Sequence, residues 1–349
     1  MRTARVGDEV SPCYIIAEIG LNHNGNLGLA VESIEAAAAC GVDAVKFQNF
    51  RTEDFLVDRT LLHTYRRQGH SVTESLYDIC KRVEFRREWF GTLVPLCREK
   101  GVDFLSTPTS EEGVNDLVAV GCPLLKNGSD YLSHIPLIRY MARTGLPLLL
   151  STGMADLEDV QGAVEAFTSA GNDHLILLHC VSNYPTRGAD VNLRRMVALR
   201  EKFGLPVGFS DHTEGWVAAV QAVTLGAVVV EKHFTLSRDL DGPDHWFSSD
   251  PRELAALVRE VREARERMGS GRIAPAKSEL DVRDAYRLGL VAARDLPAGH
   301  VLQAQDMAFR KPCTGLSPRE MDEAVSRRII RPLRAGESVQ RDNLAKRES

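Results

Sequence analysis

Eight short apolar segments, each followed by a stretch with helical spacing, constrain the fold of this chain more than any other feature. Several are nearly continuous in Val, Ile and Leu, which is typical of parallel strands buried on both faces. The intervening stretches carry apolar residues at helical intervals, and two of them end in Gly41 and Gly171. Eight successive strand–helix units predict an α/β fold, the (β/α)8 TIM barrel, with right-handed crossovers. The segments are 13–19, 42–48, 102–107, 122–127, 147–152, 174–180, 206–210 and 227–233.

The polar residues of these segments fall at their carboxyl ends. Such ends meet at one mouth of a TIM barrel, where active sites lie. One buried charge could be a structural ion pair, but polar ends on all eight strands together indicate an enzyme. The longest interruption, 49–90, is polar with scattered aromatics and is expected to fold over the mouth as a loop with a short helix. The polar ends are Glu18, Lys46, Gln48, Ser106, Thr107, Lys126, Ser151, Thr152, His179, Ser210, Asp211, His212, Glu231, Lys232 and His233.

Composition argues against several other classes of protein. A net charge of −5 gives no basic excess for nucleic acid or for an anionic membrane. No segment approaches the ~20 apolar residues of a membrane span, and Glu18 interrupts the first apolar run too early for a signal peptide. The seven cysteines form no C-x-x-C pair. We therefore expect no disulfide framework and a reducing, cytoplasmic location.

The chain is predicted to contain two domains. The barrel is assigned to 1–270 and a polar linker to 271–284. The remainder, 285–349, contains a near-repeat, because 296–307 and 333–344 share the pattern L-x-A-G-x-x-x-Q. A small β-rich domain of this size is near the lower limit for independent folding, so it is expected to lean on a barrel.

Two histidines suggest a metal site. His212 and His233 end the seventh and eighth predicted strands, which are adjacent in a barrel, and Glu18 ends the first strand beside them. Two imidazoles with a carboxylate leave open positions for substrate, which suits a catalytic divalent metal. In the alternative interpretation one of the histidines only completes a hydrogen-bond network.

Two lysines suggest a phosphate site. Lys46 and Lys126 are expected to project into the mouth, among the hydroxyls of Ser129, Ser151, Ser182 and Ser210. Ammonium groups and hydroxyls supply the charge-assisted donors that a phosphate dianion requires, and the Gly-Ser-Asp turn at 128–130 opens a helix. Either lysine could instead form a Schiff base, as in class I aldolases.

Two further motifs follow predicted strands. In the sequence 242–247, Asp244 and His245 could hydrogen-bond sugar hydroxyls and Trp246 could offer an apolar face, although a plain turn is an alternative. Tyr184, after the sixth strand, could also reach hydroxyl groups.

The longer motifs resemble the N-acetylneuraminate (sialic acid) synthase family. The part after the linker resembles that family's antifreeze-like domain, also called the SAF domain. The motifs are IIAEIGLNHNGNLGLA (15–30), DAVKFQ (43–48), FLSTP (104–108), LLSTGMA (149–155), HCVSNYPT (179–186), GFSDHT (208–213) and EKHFTL with GPDHWFS (231–248).

This resemblance implies a reaction. The family condenses phosphoenolpyruvate with an N-acylated hexosamine aldehyde, such as that of N-acetylmannosamine, to a nonulosonic acid and phosphate. It further implies a divalent metal, with Mn²⁺ expected and Mg²⁺ or Co²⁺ as alternatives. Its members are usually homodimers in which the SAF domain of one chain closes the barrel of the other, so a domain-swapped homodimer is expected.

The resemblance also assigns residues. His212 and His233 correspond to the metal ligands, with Glu18 in or beside the coordination shell. Gln48, Tyr184 and Asp244 correspond to contacts with the sugar. The phosphoenolpyruvate set is Lys46, Thr107, Lys126, Ser129, Ser151, Ser182 and Ser210.

Two positions depart from the family pattern. Tyr131 stands where the family usually has a sugar-contacting Glu, and Asp130 could replace it only if the loop shifts. In the second domain, Arg310 and Lys311 occupy a stretch where the family has Arg-Pro-Gly, whose Arg reaches the partner's site. The residues that correspond to the metal and phosphoenolpyruvate sets are intact, so the chemistry is predicted to be retained. The two departures concern the sugar, so legionaminate or another higher sugar is an alternative product. The rival hypotheses are a Schiff-base aldolase and a non-enzymatic binding or regulatory protein.

Overall fold

The computed structural model describes residues 12–346, which divide between Ser270 and Gly271 into two compact units. The segment 1–11, for which no signal peptide is predicted, and the last residues of the predicted second domain, 347–349, lie outside the described residues. Between residues 12 and 346, no helix has the length and apolar character needed to cross a membrane.

Eight parallel strands form the centre of the first unit, which confirms the predicted fold class. They are hydrogen-bonded in the order β5-β2-β1-β10-β9-β8-β7-β6, and the two end strands, β5 and β6, lie side by side. Strands β3 and β4 form a separate antiparallel hairpin. The strands are β1 Tyr14–Gly20, β2 Ala44–Asn49, β3 Leu62–Arg67, β4 His70–Ser75, β5 Asp103–Pro108, β6 Leu125–Asn127, β7 Leu148–Ser151, β8 Leu175–His179, β9 Val207–Asp211 and β10 Val229–His233.

Helices follow the barrel strands, and local sequence sets several of their ends. The Asn26 side chain accepts hydrogen bonds from the first amides of α1, and Asp156 forms a capping box with Asp159 at the start of α7. Gly204, the residue that caps the carboxyl end of α9, has φ 64°, in the left-handed region that favours glycine. The helices are α1 Leu27–Ala39, α2 Thr52–Phe55, α3 Leu76–Arg82, α4 Phe90–Lys100, α5 Glu111–Ala119, α6 Ile135–Arg143, α7 Leu157–Thr168, α8 Gly188–Val191, α9 Arg194–Phe203, α10 Val217–Thr224 and α11 Pro251–Met268.

The core lies inside the barrel and between its strands and helices. Every residue of β1, β8, β9 and β10 is buried. At Gly208 the strands approach so closely that a Cβ would lie 2.5 Å from Leu178 Cδ2 and 2.8 Å from the Val229 carbonyl oxygen. Only glycine fits there, so the apolar packing beneath the mouth is tight.

The segment 49–90 contains more structure than the predicted loop with a short helix. The hairpin β3–β4 turns at Gln68 and Gly69, both with positive φ, as two-residue hairpin turns require. Arg67 contacts Asp241 at 2.6 Å, and Gln68 donates a hydrogen bond of 3.1 Å to the Asp239 carbonyl. The hairpin is thereby attached to the loop that follows β10.

The second unit is small and β-rich. Its elements are α12 Lys277–Tyr286, β11 Gly289–Ala292, β12 Met307–Arg310 and α13 Met321–Ala324. Helix α12 lies largely within the segment predicted as a linker. The two near-repeats pair with each other, because Leu296 and Leu333 exchange backbone hydrogen bonds of 2.8 and 2.9 Å. Their side chains belong to the apolar core of this unit.

Candidate active site

The largest concentration of predicted site residues surrounds one cavity of about 360 Å³ at the carboxyl ends of the barrel strands. Asp244 lies behind the lining residue His233, 3.8 Å from its Nδ1. Arg310 and Lys311 belong to the second unit, where Lys311 lies over the Tyr286 ring. The predicted site residues that line the cavity are Glu18, Lys46, Gln48, Thr107, Lys126, Ser129, Tyr131, Ser151, Ser182, Tyr184, Ser210, His212 and His233.

Lys46 is at the centre of the polar floor. Its Nζ lies 2.7 Å from Glu18 Oε2 and donates to Thr107 Oγ1 at 3.0 Å. Burial alone would lower the pKa of Lys46, but Glu18 and Glu231 raise it above its usual value, so the side chain is an ammonium. Glu18 also accepts a hydrogen bond of 2.8 Å from Gln48 Nε2. Burial raises the pKa of Glu18 in spite of the opposing effect of Lys46, so its carboxylate is more basic than an exposed one.

Lys126 is buried with neutral hydrogen-bond partners. Its Nζ donates to Ser151 Oγ at 2.7 Å and to the Asn127 carbonyl at 3.1 Å. Burial lowers the pKa of Lys126, because the charged form lacks a directly bound anion. A bound anion would offset that desolvation.

A group of small polar atoms lies close to Lys126 on the cavity wall. The Gly153 amide donates to Ser129 Oγ at 3.1 Å, and Ser129 Oγ lies 3.1 Å from Cys180 Sγ. A Cβ on Gly153 would lie 2.7 Å from Ser129 Oγ and would also crowd Ser182 Oγ. The backbone thus approaches these hydroxyls as closely as a glycine permits, and a side chain at position 153 would displace them.

Glu231 was absent from the predicted site residues although it lines the cavity. It accepts a hydrogen bond of 3.0 Å from Ser210 Oγ, and its Oε2 lies 3.8 Å from Lys46 Nζ. Burial would raise the pKa of Glu231, but Lys126 and Lys46 together lower it. Strand alternation could have identified this residue, since Glu231 must share the inward face of β10 with His233.

The two predicted metal ligands lie side by side. Their ring centroids are 5.5 Å apart, and the Tyr184 ring lies 4.2 Å from that of His212. His212 Nδ1 lies 2.7 Å from the Val181 carbonyl and therefore carries a proton, which leaves the lone pair on Nε2, 3.3 Å from Ser210 Oγ. Burial lowers the pKa of His212 to about 4, and burial with His212 lowers that of His233 well below its usual value. Both imidazoles are therefore neutral near pH 7, as metal ligands must be.

The histidine pair fits a divalent metal that takes its other ligands from substrate and water. The backbone carbonyl that fixes the His212 tautomer is a typical outer partner of a metal-binding imidazole, and His233 Nδ1 is buried without a hydrogen-bond partner. In the described range 12–346, no three His, Cys, Asp or Glu side chains form a group that could hold a metal. Glu18, the expected third ligand, is engaged by Lys46 and Gln48.

The loop after β10 carries Asp244. Burial, with a smaller contribution from Glu18, raises the pKa of Asp244 to about 7. Its neighbour His245 is buried, with Nδ1 2.7 Å from Thr235 Oγ1 and Nε2 3.2 Å from Asn24 Oδ1. His245 therefore anchors the loop, and it does not line the cavity, unlike the expectation that it could contact sugar hydroxyls.

The outer wall of the cavity is mainly apolar, and sequence reasoning missed it. It is formed largely by the loop after β1 and by the segment 49–90 that folds over the mouth. Tyr131 lies in this region and stacks on His134 with a centroid distance of 5.7 Å. The residues of this wall that were not predicted are Leu21, Phe50, Phe55, Cys80, Thr109 and Met154.

An eight-stranded barrel whose strand ends converge on buried lysines, carboxylates and histidines defines a TIM-barrel enzyme. Residues 33–273 match the NeuB family, and residues 288–345 match the SAF domain. The chain belongs to the NeuB family. This match confirms the family and the enzymatic class that the sequence motifs predict.

Relatives match along nearly the whole chain. The N,N'-diacetyllegionaminic acid synthase of Legionella pneumophila is 39% identical over 332 residues, which cover 94% of this chain and 93% of that protein. The pseudaminic acid synthase of Campylobacter jejuni is 31% identical, covering 93% and 95% respectively. The crystal structure of the N-acetylneuraminic acid synthetase of Leptospira borgpetersenii, in complex with citrate, superposes with a TM-score of 0.70 at 34% identity. That match covers 78% of this chain and 90% of the other.

Proposed function

We propose that this enzyme condenses phosphoenolpyruvate with the open-chain aldehyde of an N-acylated hexosamine, giving a nonulosonic acid and inorganic phosphate. The observation that carries the proposal is one cavity with two functional parts, an oxyanion floor built on Lys46 and Lys126 and a neutral pair formed by His212 and His233. The names of the relatives support the class of product, since they are synthases of legionaminic, pseudaminic and N-acetylneuraminic acids.

The floor fits phosphoenolpyruvate, which carries a phosphate and a carboxylate. Lys46 and Lys126 supply the two positive charges, and Thr107, Ser129 and Ser151 supply hydroxyl donors within the same lining. Each charge-assisted hydrogen bond contributes about 1.5–3 kcal/mol. Holding both anionic groups fixes the methylene carbon toward the histidine side of the cavity, where the aldehyde is expected.

The reaction then follows in three steps. The methylene carbon attacks the aldehyde carbon, a carbon–carbon bond forms, and the aldehyde oxygen becomes an alkoxide. Water adds to the cationic enol carbon and gives a proton to the Glu18 carboxylate, which passes it to the alkoxide. The tetrahedral adduct collapses by cleavage of its carbon–oxygen bond to phosphate, and its hydroxyl proton leaves with the phosphate. The raised pKa of Glu18 suits this exchange of protons.

We propose that His212 and His233 hold a divalent metal, with Mn²⁺ expected and Mg²⁺ or Co²⁺ as alternatives. Such an ion supplies Lewis-acid polarisation of an aldehyde oxygen. Glu18 is assigned to proton transfer at the edge of this site, since its two oxygens contact Lys46 and Gln48.

The acceptor is proposed to be an uncharged sugar with apolar substituents. Phe50 and Phe55 in the outer wall suit N-acyl methyl groups, while Gln48 and Tyr184 are polar groups for sugar hydroxyls. Asp244 does not line the cavity, and its contact with the sugar stays a prediction from the resemblance. Among the described residues that line the cavity, the only Lys or Arg side chains are the two of the floor. Within this lining a second phosphate, on the acceptor, would lack a counter-charge, so an N-acetylmannosamine or legionaminate-type acceptor is proposed.

The first test measures phosphate release from phosphoenolpyruvate with Mn²⁺, using N-acetylmannosamine, its 6-phosphate and a 2,4-diacetamido-6-deoxyhexose as acceptors. We expect release with at least one uncharged sugar, no release after EDTA treatment, and little release with the 6-phosphate. Wild-type release from a His212→Ala/His233→Ala variant would contradict the role of the pair. Absence of release with every acceptor would overturn the proposed function.

A Schiff-base aldolase is a second candidate, because the lowered pKa of Lys126 is a property of such lysines. It predicts an adduct that borohydride traps on Lys126 and activity that EDTA does not affect. We expect no adduct by mass spectrometry of the intact chain.

A domain-swapped homodimer and a cytoplasmic location remain predictions from the family resemblance and the composition. Light scattering tests the dimer. Mixing an Arg310→Ala/Lys311→Ala variant with a Glu18→Gln variant would restore activity if each pocket used the second domain of the partner.

A further inference from the structure

A buried ion pair lies directly behind the two histidines. Lys232 Nζ is 3.0 Å from Asp211 Oδ2 and also donates to the Thr213 carbonyl. Lys232 is 2% exposed and Asp211 is fully buried. Neither residue lines the cavity, whereas Ser210, His212, Glu231 and His233 do. The pair therefore lies on the outer face of the barrel, on the opposite side of the strands from the active site.

The connections of this pair are specific to the histidines. Asp211 and Lys232 are opposite each other in the register of β9 and β10. Asp211 and Thr213 are the two chain neighbours of His212, and the Lys232 ammonium binds both of them. Lys232 is itself the residue before His233. The Lys232 ammonium thus binds the residues before and after His212, and the Lys232 backbone continues directly into His233.

The carboxylate of Asp211 completes the arrangement. Its Oδ1 accepts hydrogen bonds from the Thr213 amide at 2.9 Å and from Thr213 Oγ1 at 2.7 Å. The turn around His212 is therefore closed by side-chain bonds, and the Thr186 amide also donates to the His212 carbonyl at 2.8 Å. His233 Nδ1, by contrast, has no hydrogen-bond partner. The position of His233 relative to His212 depends on the strand that carries Lys232.

Stability alone does not account for an ion pair at this place. The other outward-facing residues nearby, such as Phe209 and Val230, are apolar and buried. Replacing a buried ion pair with apolar residues of similar volume often leaves stability unchanged, because desolvation offsets the attraction. A fixed geometry is what such a pair provides beyond apolar packing.

We propose that Asp211, Thr213 and Lys232 form a positioning clamp that fixes the spacing of His212 and His233 for metal binding. The inference rests on the proposed function, because it assigns the clamp to the histidine pair of that site. The three residues contact neither substrate nor metal; they act through the backbone of the two histidines.

The test uses an Asp211→Leu/Lys232→Met variant, which replaces the ion pair with apolar side chains of similar size. We expect a melting temperature close to that of the wild type, and a Kd for Mn²⁺ about 10- to 100-fold higher by electron paramagnetic resonance. We expect kcat to fall at least tenfold, while the KM for phosphoenolpyruvate changes less than twofold because Lys46 and Lys126 are untouched. The matched control is Asp43→Asn/Arg262→Met, which removes an ion pair of 2.6 Å near the starts of the strands. This control should leave the Mn²⁺ affinity unchanged.

A folded Asp211→Leu/Lys232→Met variant with Mn²⁺ affinity and kcat within twofold of the wild type would overturn the clamp. If that variant does not fold, Thr213→Val and Thr213→Ser replace it, because only the serine keeps the hydroxyl donor to Asp211. Weaker Mn²⁺ binding in the valine variant, restored in the serine variant, supports the clamp, and equal affinities in both overturn it. A wild type that neither binds Mn²⁺ nor releases phosphate would instead overturn the proposed function, and the clamp with it.

Discussion

Acid should destabilise the barrel through His23, a residue enclosed by aromatic rings. His23 is fully buried, and its ring centroid lies 5.2 Å from that of Trp89 and 6.0 Å from that of Phe47. Its Nδ1 accepts a hydrogen bond of 3.1 Å from the Gly25 amide, and its Nε2 has no hydrogen-bond partner. Burial, with a smaller contribution from His245, lowers the pKa of His23 from 6.5 to about 4.

The sign and size of the effect follow from proton linkage. Because the pKa is lower in the folded state, the unfolded chain binds a proton first as pH falls below 6.5. The stability due to the neutral histidine is complete above that pH and decreases as pH falls toward about 4. From these two pKa values, the free energy of unfolding should lose about 2 kcal/mol by pH 5 and about 3 kcal/mol by pH 4.

The assay compares the wild type with a His23→Phe variant in urea at pH 7, 6 and 5, with EDTA present so that metal binding does not contribute. Fluorescence of Trp89, Trp216 and Trp246 reports on the first unit, since the chain has three tryptophans and all precede residue 270. Phenylalanine cannot accept the hydrogen bond from the Gly25 amide, which lowers the free energy of unfolding of the variant by about 1 kcal/mol at every pH. Between pH 7 and pH 5, the free energy of unfolding of the wild type should fall by about 2 kcal/mol more than that of the variant. A His174→Phe control, at a side chain that is 67% exposed, should show no such difference from the wild type. A difference that stays constant with pH would refute the reasoning.

Three further variants test the floor of the pocket. Glu18→Gln should still bind phosphoenolpyruvate by calorimetry, yet lose about 10²- to 10⁴-fold in kcat, because the amide cannot exchange a proton; wild-type turnover would contradict this role. Gly153→Ala places a methyl group 2.7 Å from Ser129 Oγ and should raise the KM for phosphoenolpyruvate at least tenfold without changing Mn²⁺ affinity. Lys126→Met should raise the same KM by about 10- to 100-fold, the loss of one charge-assisted contact of about 1.5–3 kcal/mol; an unchanged KM would place the anion elsewhere.

The barrel strands could be predicted because parallel strands are buried on both faces. The first predicted segment, 13–19, became Tyr14–Gly20, and the last, 227–233, became Val229–His233. The fourth is shorter than predicted, since Leu125–Asn127 replaces 122–127. Pro123 has no amide to donate to a ladder, so the strand begins only after it.

The hairpin β3–β4 could not be predicted from apolar patterning, because its strands are largely exposed and polar. The available sequence signal was the Gln68-Gly69 pair between the two segments that form β3 and β4. Gln-Gly is a less typical hairpin turn than Asn-Gly. Its attachment to Asp241 joins residues distant in the sequence, which no local pattern encodes.

The polar residues that line the cavity could be predicted from the topology, since the carboxyl ends of barrel strands must converge. The apolar residues could not, because Phe50 and Phe55 reach the cavity from a loop whose course depends on tertiary packing. Glu231 ends a predicted strand, and the alternation of β10, which places it on the same face as His233, is the signal that identifies it as a site residue. The engagement of Glu18 by Lys46 depends on side-chain conformations, which a strand assignment does not provide.

The depth of the cavity has a kinetic consequence. Lys46 and Lys126, at the floor, are 2% and 3% exposed, while Tyr184 and Met154, at the rim, are 40% and 70% exposed. In the proposed reaction the phosphorylated substrate binds at this floor, so we expect it to bind before the sugar, which would lie above it. By the same geometry the phosphate of that reaction would form beneath the sugar acid, so we expect the phosphate to leave after it. The depth of the floor therefore predicts an ordered reaction, in which phosphoenolpyruvate binds first and phosphate leaves last.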